Sequence, residues 1–310
     1  MNAAAPAHAR PAARALGAAT LGLALGALLL RRHAPAPRRA MPSPAAPDRT
    51  ATEQAHRLYQ AAALLAASVL SDSALEHYRG DFENPGMFAP LASAAVVLAC
   101  AVRPASTRTA VPYATACAVG AAGLGFHAYN VLRRPGGLSW ANLFYAAPLG
   151  APAALALAGV LGLAARPVGA GAPTLAGLPS GRALCGLAAF GLAGTSAEAA
   201  LLHFRGAFQH PAMWLPVTVP PVTAMLLAGA ALPGRPGPRR LTNALLKACT
   251  WLGALGMAFH TRGIARQMGG WRNWSQNVLA GPPLPAPPSF SALALAGRAA
   301  LALRAAQEAP

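Results

Sequence analysis

Long apolar segments alternate with short polar breaks along most of the chain. A helix needs about 20 apolar residues to cross the hydrocarbon core of a membrane, and it satisfies its own backbone hydrogen bonds there. Strands of alternating hydrophobicity, which a membrane barrel needs, do not occur in the sequence. We therefore predict an all-α membrane protein with eight transmembrane helices, near residues 55–78, 87–103, 110–132, 143–165, 183–204, 212–232, 242–262 and 284–303.

One polar segment between these helices occurs twice. Residues 75–90 (LEHYRGDFENPGMFAP) recur as residues 201–216 (LLHFRGAFQHPAMWLP), with eight of sixteen positions identical. Two further positions exchange one aromatic residue for another. The identical residues include His, Arg, Phe and Met, which are uncommon in this Ala- and Gly-rich chain, so composition does not explain the match.

Matches continue beyond this segment. The pattern Gly-x-x-Gly-x-x-x-His ends at His127 and again at His260. An Asn followed by Pro-Leu and a further Pro also occurs in both halves, over residues 142–152 and 277–287. We predict two tandem four-helix repeats, residues 55–166 and 183–304, joined by a linker over residues 167–182 and followed by a short tail at 305–310. An even number of helices per copy gives both copies the same direction, which is a parallel repeat.

Residues 1–54 differ from the rest of the chain. The apolar run Leu16–Leu30 is shorter than the roughly 20 residues of a membrane span, and a Pro-, Ala- and Arg-rich stretch that we predict to be disordered follows it. Three interpretations fit: a signal peptide, a membrane anchor, or a coding start placed too early, with translation beginning at Met41.

Only 11% of the residues are charged, whereas about 25% is usual for soluble domains. The net charge of +17 comes mainly from Arg in the connections. Nucleic-acid binding is excluded as an interpretation, because no basic stretch carries interleaved aromatic residues. The four cysteines are isolated in apolar segments, with no Cys-x-x-Cys and no Cys-x-x-Cys-His for covalent haem attachment, so we predict small buried side chains.

The distribution of Arg and Lys predicts the orientation. The side that holds the connections at 103–108, 166–182 and 233–240 is richer in basic residues than the side that holds the repeated motifs. Basic connections favour the cytoplasm. We therefore predict a multi-pass protein of a bacterial inner membrane, in contact with the lipid bilayer, with its motifs on the periplasmic side.

Four histidines are the main candidates for chemistry. His77 and His203 end the first helix of each copy, and His127 and His260 lie near the end of the third. First and third helices run in the same direction, so all four imidazoles are predicted to share one layer near the outer face. Neutral imidazole is the commonest metal ligand in proteins.

Matched polar and small residues surround this layer. Asp72 and Glu198 precede the first-helix histidines by five residues, which is about 7–8 Å along a helix; they are candidates for a second ligand shell or an ion relay. Arg79 and Arg205 are candidates to pair with haem propionates. Gly123 and Gly256 fit either clearance for a flat cofactor or close helix packing, and packing is the commoner use.

Three functions fit these residues. The leading hypothesis is a protein that binds haem b or a transition metal and acts in electron transfer with a periplasmic or membrane redox partner, or in metal handling. In the haem version, two histidines of one copy ligate one haem; in the metal version, all four imidazoles with Asp72 and Glu198 form one centre. The alternatives are a transporter of a small solute or ion and a structural or accessory membrane subunit.

Overall fold

The computed structural model describes residues 49–101, 110–234 and 237–308. Within these ranges the chain is mostly helical, with ten α-helices, three short 3-10 helices and one two-stranded hairpin. The prediction of a helical protein is therefore confirmed for these residues. The predicted signal or anchor segment and most of the predicted disordered linker lie outside them.

The described residues of the first half form five α-helices. They are α1 Arg49–Arg79, α2 Phe88–Ala101, α3 Ala110–Leu132, α4 Trp140–Tyr145 and α5 Gly150–Gly169, with a 3-10 turn at Pro85–Met87 before α2. The single helix predicted over 143–165 is wrong in detail, because the chain leaves the helix after α4. Ala146 is extended there, and Pro148 disfavours a helical residue before it.

The predicted linker contains a small hairpin. Strands β1 Thr174–Leu175 and β2 Leu178–Pro179 pair in antiparallel fashion, and both residues between them have positive φ. The second half follows as α6 Ser180–Arg205, α7 Val219–Ala231, α8 Arg239–Ala265, α9 Trp274–Ala280 and α10 Pro288–Gln307. Its 3-10 helices are Pro211–Val217 and Gly270–Asn273.

Both halves have the same order of helix contacts. In the first, α1 and α3 each pack on α2 and α5; in the second, α6 and α8 each pack on α7 and α10. We call these sets, with the short helices α4 and α9, the first and second unit. The helices that carry the motif histidines therefore occupy opposite corners of each unit. The most extensive contact between the units joins α1 to α10.

Glycines allow the third and last helices of each unit to cross closely. A Cβ atom added at Gly120 would lie 2.3 Å from the backbone nitrogen of Ala156, and one at Gly253 would lie 2.1 Å from Ser291 Oγ. Small residues at such positions let helix backbones approach each other within a membrane. The matched Gly residues of the sequence are thus explained by packing.

Within the described ranges, four helical segments are long and apolar enough to cross a membrane: Arg49–Arg79, Gly150–Gly169, Ser180–Arg205 and Pro211–Ala231. Large apolar side chains also face outward in the second unit, where Phe190, Met225 and Trp251 are 70%, 66% and 69% exposed. Exposed apolar surface on long apolar helices is typical of contact with lipid. The structure thus supports association with a bilayer.

The glycine contact predicts a sharp difference between two positions of α3. Gly120→Ala should destabilise the protein by at least about 2 kcal/mol, because the new methyl group overlaps backbone that cannot move away. Gly125 has no atom within 4 Å of an added Cβ, so Gly125→Ala should be neutral or stabilise by up to about 1 kcal/mol through helix propensity. Thermal unfolding of both detergent-solubilised variants tests this, and equal stabilities would contradict the described crossing.

Candidate histidine site

The first-helix histidines make the same contact in both units. His77 Nδ1 lies 2.7 Å from the carbonyl oxygen of Met87, and His203 Nδ1 lies 2.8 Å from that of Met213. A carbonyl oxygen only accepts hydrogen bonds, so Nδ1 carries the proton in each ring. In the neutral imidazole the lone pair is then on Nε2.

The third-helix histidines are held in the same way. His127 Nδ1 lies 2.5 Å from the carbonyl oxygen of Pro148, and His260 Nδ1 lies 2.7 Å from that of Pro283. Each bond ties the end of a third helix to the non-helical segment before the last helix of its unit. The acceptors are the prolines that match between the two halves of the sequence.

All four rings keep Nε2 without a hydrogen-bond partner among the described residues. The four side chains are partly buried. His77 is close enough to His127 for their charges to interact, and His203 is likewise close to His260. Each imidazole thus has the other histidine of its own unit in its electrostatic surroundings.

A strained turn packs an aromatic ring against the first-unit histidine. Asp81 and Phe82 have φ of 51° and 48°, a left-handed conformation that costs about 1–2 kcal/mol for residues other than glycine. This conformation brings the Phe82 ring edge-on to His77, at 6.2 Å between centroids, and stacks it on Phe88 at 4.5 Å. The matched phenylalanine thus restricts the rotation of the imidazole.

The second unit repeats this turn with different residues. Ala207 and Phe208 have φ of 53° and 46°. The Phe208 ring lies edge-on to His203 at 6.1 Å and stacks on Trp214 at 4.1 Å. The exchange of Phe88 for a tryptophan therefore keeps the stacked pair.

A short cap follows each turn. Asn84 Oδ1 accepts the backbone N–H of Gly86 at 2.8 Å, and His210 Nδ1 accepts that of Ala212 at 3.1 Å. The substitution of Asn by His therefore preserves the cap of the 3-10 helix. This role accounts for His210, which has no matching histidine in the first unit.

Two buried asparagines hold the loops that follow the third helix of each unit. Asn142 Nδ2 donates to two loop carbonyls, at 2.7 and 3.1 Å, and Asn277 Nδ2 donates to two at 2.9 and 3.2 Å. Both side chains are less than 9% exposed. Their match in the sequence was noted, but not their role in fixing the loops.

The predicted acidic residues lie between the two units. Asp72 is close enough to Glu198 for their charges to interact, and Glu76 and Arg79 are also near it. Glu198 Oε1 accepts the backbone N–H of Gly150 at 3.1 Å. This position fits the interface between the units, and a role for the two acids in an ion relay or a second ligand shell stays a prediction.

The two arginines also reach across to the other unit. Arg79 forms an ion pair with Glu76 and donates to the carbonyl oxygen of Leu279, at the end of α9. The Arg205 guanidinium lies 5.5 Å from the ring centroid of Tyr145, at the end of α4. These contacts bring the ends of α1 and α6 to one end of the bundle. Pairing of either arginine with a propionate stays a prediction.

Gly123 and Gly256 contact proline side chains. An added Cβ would lie 3.2 Å from Pro152 Cβ at Gly123 and 2.8 Å from Pro287 Cβ at Gly256. We predicted either clearance for a flat cofactor or close helix packing at these glycines, and the distances support helix packing. The space beside each glycine is filled by the last helix of its unit.

One metal centre built from all four imidazoles is not observed. Among the residues that the structure describes, no group of three or more His, Cys, Asp or Glu side chains is arranged to hold a metal ion. The reason is geometric, since each histidine is tied to its own unit by a backbone carbonyl. Ligation by the two histidines of one unit stays a prediction.

No known protein family, no curated protein and no solved structure matches this chain. The two units make the same histidine–carbonyl contacts, although some of the neighbouring residues differ.

The strained turn predicts opposite effects for one substitution at two positions. Ala207→Gly should stabilise the protein by about 1 kcal/mol, because glycine adopts positive φ without the steric cost. Ala197→Gly, at an exposed position inside α6, should destabilise it by about 1 kcal/mol through helix propensity. Thermal unfolding measures both, and a loss of stability in Ala207→Gly would contradict the left-handed turn.

Proposed function

We propose that this protein is a multi-pass membrane protein that binds two b-type haems, one in each unit, and transfers electrons. His77 and His127 would hold the haem in the first unit, and His203 and His260 would hold it in the second. The observation that carries this proposal is the shared state of the four rings: Nδ1 donates to a backbone carbonyl, and Nε2 has no protein partner among the described residues.

The donor chemistry fits haem iron. Metal-ligating histidines almost always donate their other ring N–H to a carbonyl, a carboxylate or water, which fixes the tautomer and orients the ring. The sequence has no Cys-x-x-Cys-His, so covalent attachment of the c type is not expected. When bound, the haem would supply one-electron chemistry; the chain would orient the ligands and limit access of water.

The arrangement of the helices supports one haem per unit. The two histidines of a unit come from helices at opposite corners, so a haem between these helices would be held from two sides. Bundle cores with ligands from facing helices are common cofactor sites. Four separate metal ions would each have only one such ligand, which is a poorer match.

A complete set of eight membrane spans is part of the proposal. α3, α8 and α10 contain 23, 27 and 20 residues, enough to cross a hydrocarbon core of about 30 Å. The distribution of basic residues favours a bacterial inner membrane with the histidines on the periplasmic side. A redox partner on that side or within the membrane would then exchange electrons with the haems.

A structural role for the histidines is the second candidate. Each imidazole bonds a helix end to a following turn, and this contact stabilises the fold whether or not haem binds. Such a hydrogen bond contributes about 1 kcal/mol. The two roles can be separated because only the haem role requires Nε2.

Asparagine substitutions separate the two roles. The Asn side-chain nitrogen is the same number of bonds from Cα as Nδ1, so His127→Asn and His260→Asn keep a donor for the carbonyl but remove Nε2. We expect wild-type protein to show a Soret band and about two haems per chain, and each variant to retain about one. The measurements are the absorption spectrum, haem quantification and thermal unfolding of the purified protein.

His56→Ala is the matched control, because His56 is exposed near the start of α1 and contacts Gln60. It should leave the haem content unchanged. If wild-type protein carries no haem after expression with excess haem precursor, the proposal is wrong. If the Asn variants keep full haem content, the histidines act only as structural residues.

A further inference from the structure

One face of α8 is exposed along its length and changes from apolar to basic. Trp251, Leu255 and Phe259 are 69%, 52% and 44% exposed, and Arg262 and Arg266 are exposed beyond them. The spacing of three or four residues places the first four side chains on one side of the helix. Arg266 is the residue directly after α8, and its backbone N–H still bonds to the carbonyl oxygen of Arg262. The apolar part faces outward from the bundle, where the acyl chains of lipids would lie.

The distances along the helix match the edge of a bilayer. Arg262 follows Phe259 by about 4.5 Å and Arg266 follows it by about 10 Å at the helical rise. Exposed Trp271 and Trp274 lie in the segment after the helix, and tryptophan favours the membrane–water interface. The two arginines are therefore expected at the level of the lipid headgroups.

No acidic residue occurs between residues 199 and 307 of the sequence. Among the described residues, neither Arg262 nor Arg266 takes part in an ion pair. The charge at this edge of the second unit therefore has no protein counter-ion in the described structure, and it is complementary to a phosphate group.

The first unit lacks this feature at the matching positions. Tyr129 stands where the second unit has Arg262, and Arg133 stands where it has Arg266. The Arg133 guanidinium lies 5.9 Å from the centroid of the Tyr129 ring. At these two matched positions, which the structure describes in both units, the second unit has two arginines one helical turn apart and the first has one.

We propose that Arg262 and Arg266 bind the headgroup of an anionic phospholipid, with its acyl chains along Trp251, Leu255 and Phe259. The arginine pair supplies charge and hydrogen-bond donors for the phosphate. The apolar stripe of α8 supplies contact for the chains. This site depends on insertion in the membrane and is independent of haem.

The test uses the full chain, purified and delipidated in a neutral detergent. Phosphatidylglycerol and phosphatidylcholine are titrated separately, and the rise in unfolding temperature gives the apparent affinity. We expect wild-type protein to prefer phosphatidylglycerol, and Arg262→Gln/Arg266→Gln to lose about 25-fold in affinity for it, at about five-fold per arginine. Arg133→Gln, the control in the first unit, should stay within about two-fold of wild type.

Several outcomes would overturn the proposal. Equal responses of wild-type protein to the two lipids, an unchanged double variant, or an equal loss in Arg133→Gln would each do so. Full competition by inorganic phosphate would indicate a site for the free anion. Binding of poly-L-glutamate to wild-type protein in nanodiscs, lost in the double variant while the lipid preference remains, would indicate a docking site for an acidic protein.

Discussion

Hydrogen bonds from imidazole Nδ1 to backbone carbonyls are the interaction on which the rest of the site depends. Each bond connects a helix end to a turn, and each bond also fixes the tautomer of the ring. The motif residues position the partners of this hydrogen bond. The left-handed turn places the carbonyl oxygen of Met87 or Met213 within hydrogen-bond distance, and an aromatic ring packs beside the imidazole. The same atoms that stabilise the fold therefore leave a second nitrogen available for a ligand.

Close helix packing positions the partners of the third-helix hydrogen bonds. Gly120 and Gly253 let the third helix of each unit approach the last helix at backbone distance, and the segment before that last helix provides the carbonyl for the third-helix histidine. Contacts between the units join the same ends, as Arg79 reaches the end of α9 and Arg205 lies beside the end of α4. The histidine sites of the two units are thus formed by the same kinds of contact, and the contacts between the units join them in one bundle.

The apolar pattern was sufficient to predict the long helices but not the short α4 and α9, because each long segment needs internal hydrogen bonds in lipid. The pairing of His77 with His127 in one unit also follows from the order of the helices. The break between α4 and α5 was not predicted, since proline near a helix start is ambiguous in sequence. The carbonyl partners could not be predicted either, because every residue has a backbone carbonyl and the sequence does not show which one accepts the bond. The matched residues Asn142 and Asn277 were the available sequence signal for ordered loops.

The most direct test of the account is electron paramagnetic resonance of the purified, oxidised protein, together with its iron content. Two ligating imidazoles on each haem predict low-spin ferric signals and about two iron atoms per chain, with one signal lost when one unit's pair is disrupted. A protein without iron, or with high-spin ferric haem that is unaffected by substitution of the histidines, would contradict the assignment of these four rings as ligands.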